Sequence, residues 1–207
     1  MKNAWCLLSN TLYAVLCLSL IMSTSGCVPK AGSTFSVSYL PPLDLEHVDT
    51  SDLLPLEGLP VQVTSVIDQR DDARTIAVDT YTLRVEGALT LLAEDALRDA
   101  LKAAKTTDCT DQCLSISGTL KDWSMTVKSD MPLSIAKAHV HLELKVTSSP
   151  GYQVGAMPQE LIIKASGSSQ REHPLLDEQV MSEVYGEAMN EAALGAIEQL
   201  AEKFKSS

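Results

Sequence analysis

The sequence predicts an α+β fold: a two-layer sandwich in which an antiparallel sheet carries two helices packed on one face. Three observations predict it. A strongly alternating run at residues 135–147 stands among other strand-like segments, two stretches repeat apolar residues at helical spacing, and the order is strand, helix, three strands, helix. Aromatic residues make up only 4% of the chain, so the core must be built from Ala, Leu, Val and Ile, and its many alanines permit helix and sheet to approach closely.

Val61 to Ile67 alternates or runs apolar and ends in the charged cluster Asp68-Gln69-Arg70-Asp71-Asp72, which reads as a strand followed by a turn. Thr75 to Val85 is rich in β-branched residues and supplies one or two short strands. Leu89, Leu92, Ala93, Ala96, Leu97, Ala100, Leu101 and Ala104 recur at helical spacing, with Glu94, Asp95, Arg98, Asp99 and Lys102 opposite, so this segment is an amphipathic helix. Leu114, Ile116 and Leu120 share one parity and Trp123, Met125 and Val127 the other. A bulge near Lys121-Asp122 keeps both sets on one face.

Ala136 to Val146 then alternates dry and wet residues, and after the Ser149-Pro150-Gly151 turn Glu160 to Ser166 gives a third strand. The last helix carries its stripe from Val180 to Phe204.

Ahead of the domain stands an address. Residues 1–26 combine Lys2, an apolar core and small residues, the layout of a secretory leader, and Thr24-Ser25-Gly26-Cys27 resembles the box at which a bacterial lipoprotein receives diacylglycerol on its cysteine. Thr24 departs from the usual Leu. The apolar run Leu12–Met22 is about half of the roughly 20 residues a spanning helix requires. A spanning helix and an ordinary cleaved leader are the competing readings. With lipid on Cys27, two or three acyl chains anchor the chain stably. Val28 follows the cysteine where Asp would signal inner-membrane retention in enterobacteria-like systems, so the expected destination is the periplasmic face of the outer membrane. Residues 27–60, punctuated by Pro29, Pro41, Pro42, Pro55 and Pro60, read as a lipidated tether, and 61–207 as the periplasmic domain.

Charge narrows the partners. The 27 acidic residues all follow Gly26 and only Lys2 of the 16 basic ones precedes it, leaving 15 against 27, a formal −12. Such a surface repels phosphate backbones, so no nucleic-acid partner is expected.

Cys6 and Cys17 leave with the leader and Cys27 takes the lipid, so Cys109 and Cys113 remain as a pair. In an oxidising compartment they suit a disulfide closing a small loop; free thiols and a metal or redox role are the alternatives. His139, His141 and Glu143 fall on one strand face as candidate metal ligands. At about 6.8 Å between alternate positions they are too spread to clasp one ion unaided, and a plain wet face accounts for them. Asp68, Arg70, Asp71 and Asp72 form either a contact patch or a salt-bridged turn. No Gly-x-Ser-x-Gly, His-Glu-x-x-His or phosphate loop is present, so no enzyme is expected.

Val61-Gln-Val-Thr-Ser-Val-Ile-Asp68-Gln-Arg70, the Phe35–Pro42 segment before it, the two helices and the strands between them resemble the YajG-like lipoproteins of proteobacteria. The resemblance covers most of the chain after residue 26. It implies an envelope lipoprotein and brings with it no activity, no cofactor and no binding residues. The functional expectation is a non-enzymatic outer-membrane lipoprotein that binds another envelope component, protein or lipid. The alternative is an accessory lipoprotein of an envelope lipid, lipopolysaccharide or solute transport or assembly machine.

Overall fold

Dry and wet residues alternate along the three longest strands, and this alternation decides which face of the sheet the helices cover. The computed structural model describes residues 34–36, 40–43, 50–70, 75–78, 81–86, 89–130, 133–152, 158–174 and 176–205. In chain order these form β1 (Thr34–Ser36), a 3-10 helix (Thr50–Leu56), β2 (Val61–Asp68), β3 (Thr75–Val78), β4 (Tyr81–Glu86), α1 (Leu89–Ala103), β5 (Leu114–Asp130), β6 (Leu133–Ser148), β7 (Glu160–His173) and α2 (Glu178–Lys205). The protein is α+β.

One sheet holds all seven strands in the order β1-β4-β3-β5-β6-β7, with β2 also beside β5. The expected antiparallel arrangement holds for β5–β6–β7 and for β3–β4. It fails for β2–β5, β3–β5 and β1–β4, which are parallel, so the sheet is mixed. The cause is the crossover. β4 and α1 together return the chain to the start of β2 before β5 begins, with Leu114 opposite Val61, so β5 runs parallel to β2 and β3 and antiparallel to β4, the strand that α1 leaves. β5 is the shared spine. On one side β2 pairs with Leu114–Leu120 and β3 with Ser124 and Met125, while β6 takes the other side along its whole length.

The β5–β6 register slips by one residue between Leu120 and Asp122, as the parity change in the sequence requires, so Leu114, Ile116, Leu120, Trp123, Met125 and Val127 all lie buried. They form a single core with Ala136 to Val146 of β6, Ile163 and Ala165 of β7 and the buried stripes of both helices. The edge of one ring meets the face of the other where Trp123 packs on Tyr185, centroids 5.1 Å apart at 81°. Trp123 Nε1 and Ser182 Oγ are buried with no hydrogen-bond partner among the described residues. Each such group costs about 1–3 kcal/mol.

α2 starts at Asp177, whose carboxylate accepts the Val180 N–H at 2.9 Å, and ends with Lys203 and Lys205 in its last turn, both favourable to the helix dipole. It rests directly on β7. A Cβ at Gly167 would meet Ala188 O at 2.1 Å and Ala192 N at 2.4 Å, so the helix backbone occupies the space a side chain would need.

The folded body also takes in residues assigned above to the tether. Leu53 and Leu56 of the 3-10 helix are buried, Leu40 and Leu43 pack on the core, and Asn190 Nδ2 donates to Pro41 O at 2.8 Å. Pro55 sits inside that short helix, so prolines mark a turn packed on the domain as well as a spacer. Residues 1–33, including the leader and Cys27, lie outside the described residues.

Gly167→Ala is expected to destabilise the protein by about 1–3 kcal/mol, since the backbone it meets cannot rotate away. Gly195→Ala, whose Cβ meets nothing within 4 Å in the same helix, is expected to stabilise it by about 0.5–1 kcal/mol. Urea denaturation of both variants beside the parent measures the difference.

Candidate functional site

The wet face of β5–β6–β7 carries the residues proposed from sequence as metal ligands, and the structure does not gather them. His141 Nδ1 hydrogen-bonds Ser166 Oγ at 2.8 Å, and Glu143 lies between Lys121 at 3.6 Å and Lys164 at 3.5 Å. His139 stands opposite Ser124 on one side and Ser168 on the other. No cluster of three His, Cys, Asp or Glu suited to an ion exists among the described residues. The face is a ladder of cross-strand polar pairs, with Lys145 and Glu160 adding another at 2.7 Å.

At the end of β2, Asp68 accepts the backbone N–H of Arg70 at 3.1 Å and pairs with its guanidinium at 2.6 Å. Both side chains are only about a tenth exposed, so this is a salt-bridged turn. Asp71 and Asp72, the other half of the suggested patch, lie outside the described residues.

Cys109 and Cys113 are joined, with Cα atoms 5.5 Å apart. The path to them begins at the end of α1, where Lys105 takes a φ of 52°. Thr106 N–H donates to Leu101 O and Lys105 N–H to Lys102 O, a Schellman closure built on a residue other than glycine. The next residue, Thr107, exchanges backbone bonds with Leu59 and Val61 and so covers the start of β2. Beyond Cys113, Ser149 ties the loop to the end of β6 through its N–H and hydroxyl. Between β2 and α1 this loop borders a cleft of about 330 Å³ walled by Val61, Val63, Leu101, Arg98 and Lys102. Its cations are already engaged. Arg98 reaches Glu94 and Asp95, both at 3.1 Å, and Lys102 reaches Asp99 at 2.7 Å, a hydrogen bond and charge that hold the ammonium above its ordinary pKa.

A feature that sequence reasoning missed lies along β7. α2 presents Glu183, Glu187 and Glu191 one turn apart. Glu183 and Glu187 both accept from Arg171, Glu187 also accepts from the Ser169 hydroxyl, and Glu191 accepts the backbone N–H of Ser168 at 2.7 Å. Four-residue spacing of the glutamates beside the apolar stripe was the available signal. Nothing in the chain says which strand edge they reach.

No family model and no curated protein matches the chain. Among solved structures, it is similar to the Xanthomonas campestris protein XCC0632, described as DUF330. The identity is 12% over 74% of this chain and 91% of that one, with a TM-score of 0.50. The likeness is one of fold. An uncharacterized protein (10% identity, 71% and 95% covered, TM-score 0.43) aligns less well. So does a candidate lipoprotein from Caulobacter crescentus CB15 (9% identity, 76% and 92% covered, TM-score 0.36). No described helix is long and apolar enough to cross a membrane.

Replacing Cys109 and Cys113 with Ser is expected to cost about 2 kcal/mol, the chain-entropy value for so short a loop, in urea denaturation of the oxidised parent against the variant. A loss that small leaves the domain folded, because the core does not depend on the bridge.

Proposed function

We propose that this protein is a non-enzymatic lipoprotein, held by acyl chains on Cys27 at the periplasmic face of the outer membrane, whose domain binds another component of the envelope. The address rests on the Thr24–Cys27 box and the leader before it, and on the resemblance to YajG-like lipoproteins. The joined Cys109 and Cys113 suit an oxidising compartment. The absence of an enzymatic role rests on the missing nucleophile and phosphate-loop patterns in the sequence.

The observation that carries the binding role is the contrast between a filled interior and an open strand edge. Side chains between sheet and helices, from Leu114, Leu142 and Leu144 to Ala188, Met189 and Ile197, are wholly enclosed. An acyl chain would have to displace packed side chains to enter there, which favours a partner that docks on the surface over a lipid carried within. An accessory role in a transport or assembly machine is the variant of this reading in which the docked partner belongs to such a machine.

Labelled palmitate is expected to appear on the full-length protein in cells and to vanish with Cys27→Ala. Labelling that survives the substitution, or that never appears, removes the anchor from the proposal.

A further inference from the structure

Resting on the reading that the domain docks a protein, the geometry points to the free edge of β7, over Ile162–Ser168, as the place where an extended segment of a partner, bearing Lys or Arg, adds as a further strand.

The direction of the edge groups follows from one hydrogen bond. Ser168 N–H donates to the Glu191 carboxylate at 2.7 Å and so points away from β6. Backbone groups alternate along an antiparallel strand, and the β6–β7 register runs from Thr147–Glu160 to Ser134–His173 without a slip. The N–H and C=O of Ile162, Lys164 and Ser166 therefore also face outward, and their side chains lie on the exposed wet face. Among the described strands β7 pairs only with β6. It has 14 residues and contains no proline. Most edge strands are shortened, bulged or broken to prevent such pairing.

Among the described residues, β1 and β2 carry such devices. β1 has three residues. β2 is covered at Val61 by Thr107, slips register between Val63 and Ser65, and has its Val66 N–H held by Glu94. The two glutamate caps differ. Glu94 is pinned by Arg98 at 3.1 Å and is 17% exposed, whereas Glu191 is exposed and pairs with no cation among the described residues. A partner strand offering a carbonyl to Ser168 would displace Glu191, and the freed carboxylate would then meet a cation on that strand.

Charge selects the occupant. Beside the edge, Arg171 and Lys164 supply two positive charges, Lys164 lying 3.5 Å from Glu143, against the negative charges of Glu183, Glu187, Glu191 and Glu172, so the rim stays net negative. The whole chain carries −11. Ile162, 55% exposed at the start of the edge, offers an apolar seat to an aliphatic residue on the incoming strand.

The test uses purified full-length protein and two blocked octapeptides, one alternating Lys and Val, the other alternating Glu and Val. The Lys-Val peptide is expected to bind at least about tenfold more tightly and to slow hydrogen exchange within 162–168. Ser166→Pro removes an outward N–H at a position where an edge strand tolerates proline, and is expected to abolish that protection. If S166P does not fold, E191K serves instead and is expected to reverse the preference between the peptides. Equal binding of the two peptides, protection located elsewhere, or variants that bind as the parent does would overturn the assignment.

A photo-cross-linker placed in cells at Ile162 and, separately, at the exposed Leu91 of α1 tells the two claims apart. Adducts to a single envelope protein from Ile162 alone are expected. Adducts from Leu91 alone overturn the edge while leaving a protein partner, and protein adducts from neither position remove both.

Discussion

The backbone of α2 rests against the backbone of β7 at Gly167, and the rest of the core is arranged around that contact. With Ala188 O and Ala192 N standing where a Cβ would be, the helix sits nearer the sheet than larger side chains would allow. Several neighbouring positions are correspondingly small. Ala188 and Ala192 on α2 and Ala165 on β7 are small, as is Ala138 on β6, while Val140 stands opposite Gly167 itself. Two strands over in the same cross-strand row, past Val140, Trp123 packs edge-to-face on Tyr185 of α2.

A helix lying over the outermost strand also brings its polar flank to the rim of the sheet. Glu191 is adjacent in sequence to the buried Ala192, and its Cβ lies 3.0 Å from where a Cβ at Gly167 would stand. That closeness lets its carboxylate reach the outward N–H of Ser168. Close packing in the core and the cap on the open edge are thus one arrangement seen from two sides, and a side chain at position 167 would disturb both.

Much of this was legible in the sequence, and what was not has physical causes. Alternation in β6 and the parity switch around Lys121-Asp122 specified the strand, the bulge and the buried face, because a period of two leaves no freedom of register once one face is dry. β7 was read as ending at Ser166 because its apolar alternation ends there. It continues to His173 because Ser169 and Arg171 on its inner face are satisfied by Glu187 and Glu183 across 18 and 12 residues of chain, a long-range pairing no local pattern encodes. The parallel pairing of β2 with β5 is a property of the crossover rather than of either strand. Leu53 and Leu56 were hidden by the prolines and acids around them. Of the candidate sites, the cysteine pair was reached by setting aside Cys6, Cys17 and Cys27 and assuming an oxidising compartment, whereas the β7 edge depends on which strand is outermost.

α2 also receives the N-terminal part of the chain. Asn190 Nδ2 holds Pro41 O, Lys205 holds Asp52, and Leu53 and Leu56 belong to the same core as the helix. Asn190 is the residue before Glu191, so the segment arriving from the direction of Cys27 is fastened to the helix beside the gate of the β7 edge. The consequence is geometric. The β7 edge holds a fixed position relative to Pro41, so a strand added there, as proposed above, would meet that entry point in one orientation. A domain joined to its anchor only by a loose leash at residue 60 would offer the same edge in every direction. Fastening the chain at residues 40–43 and 50–56 removes that freedom and with it part of the orientational entropy a docking partner would otherwise lose.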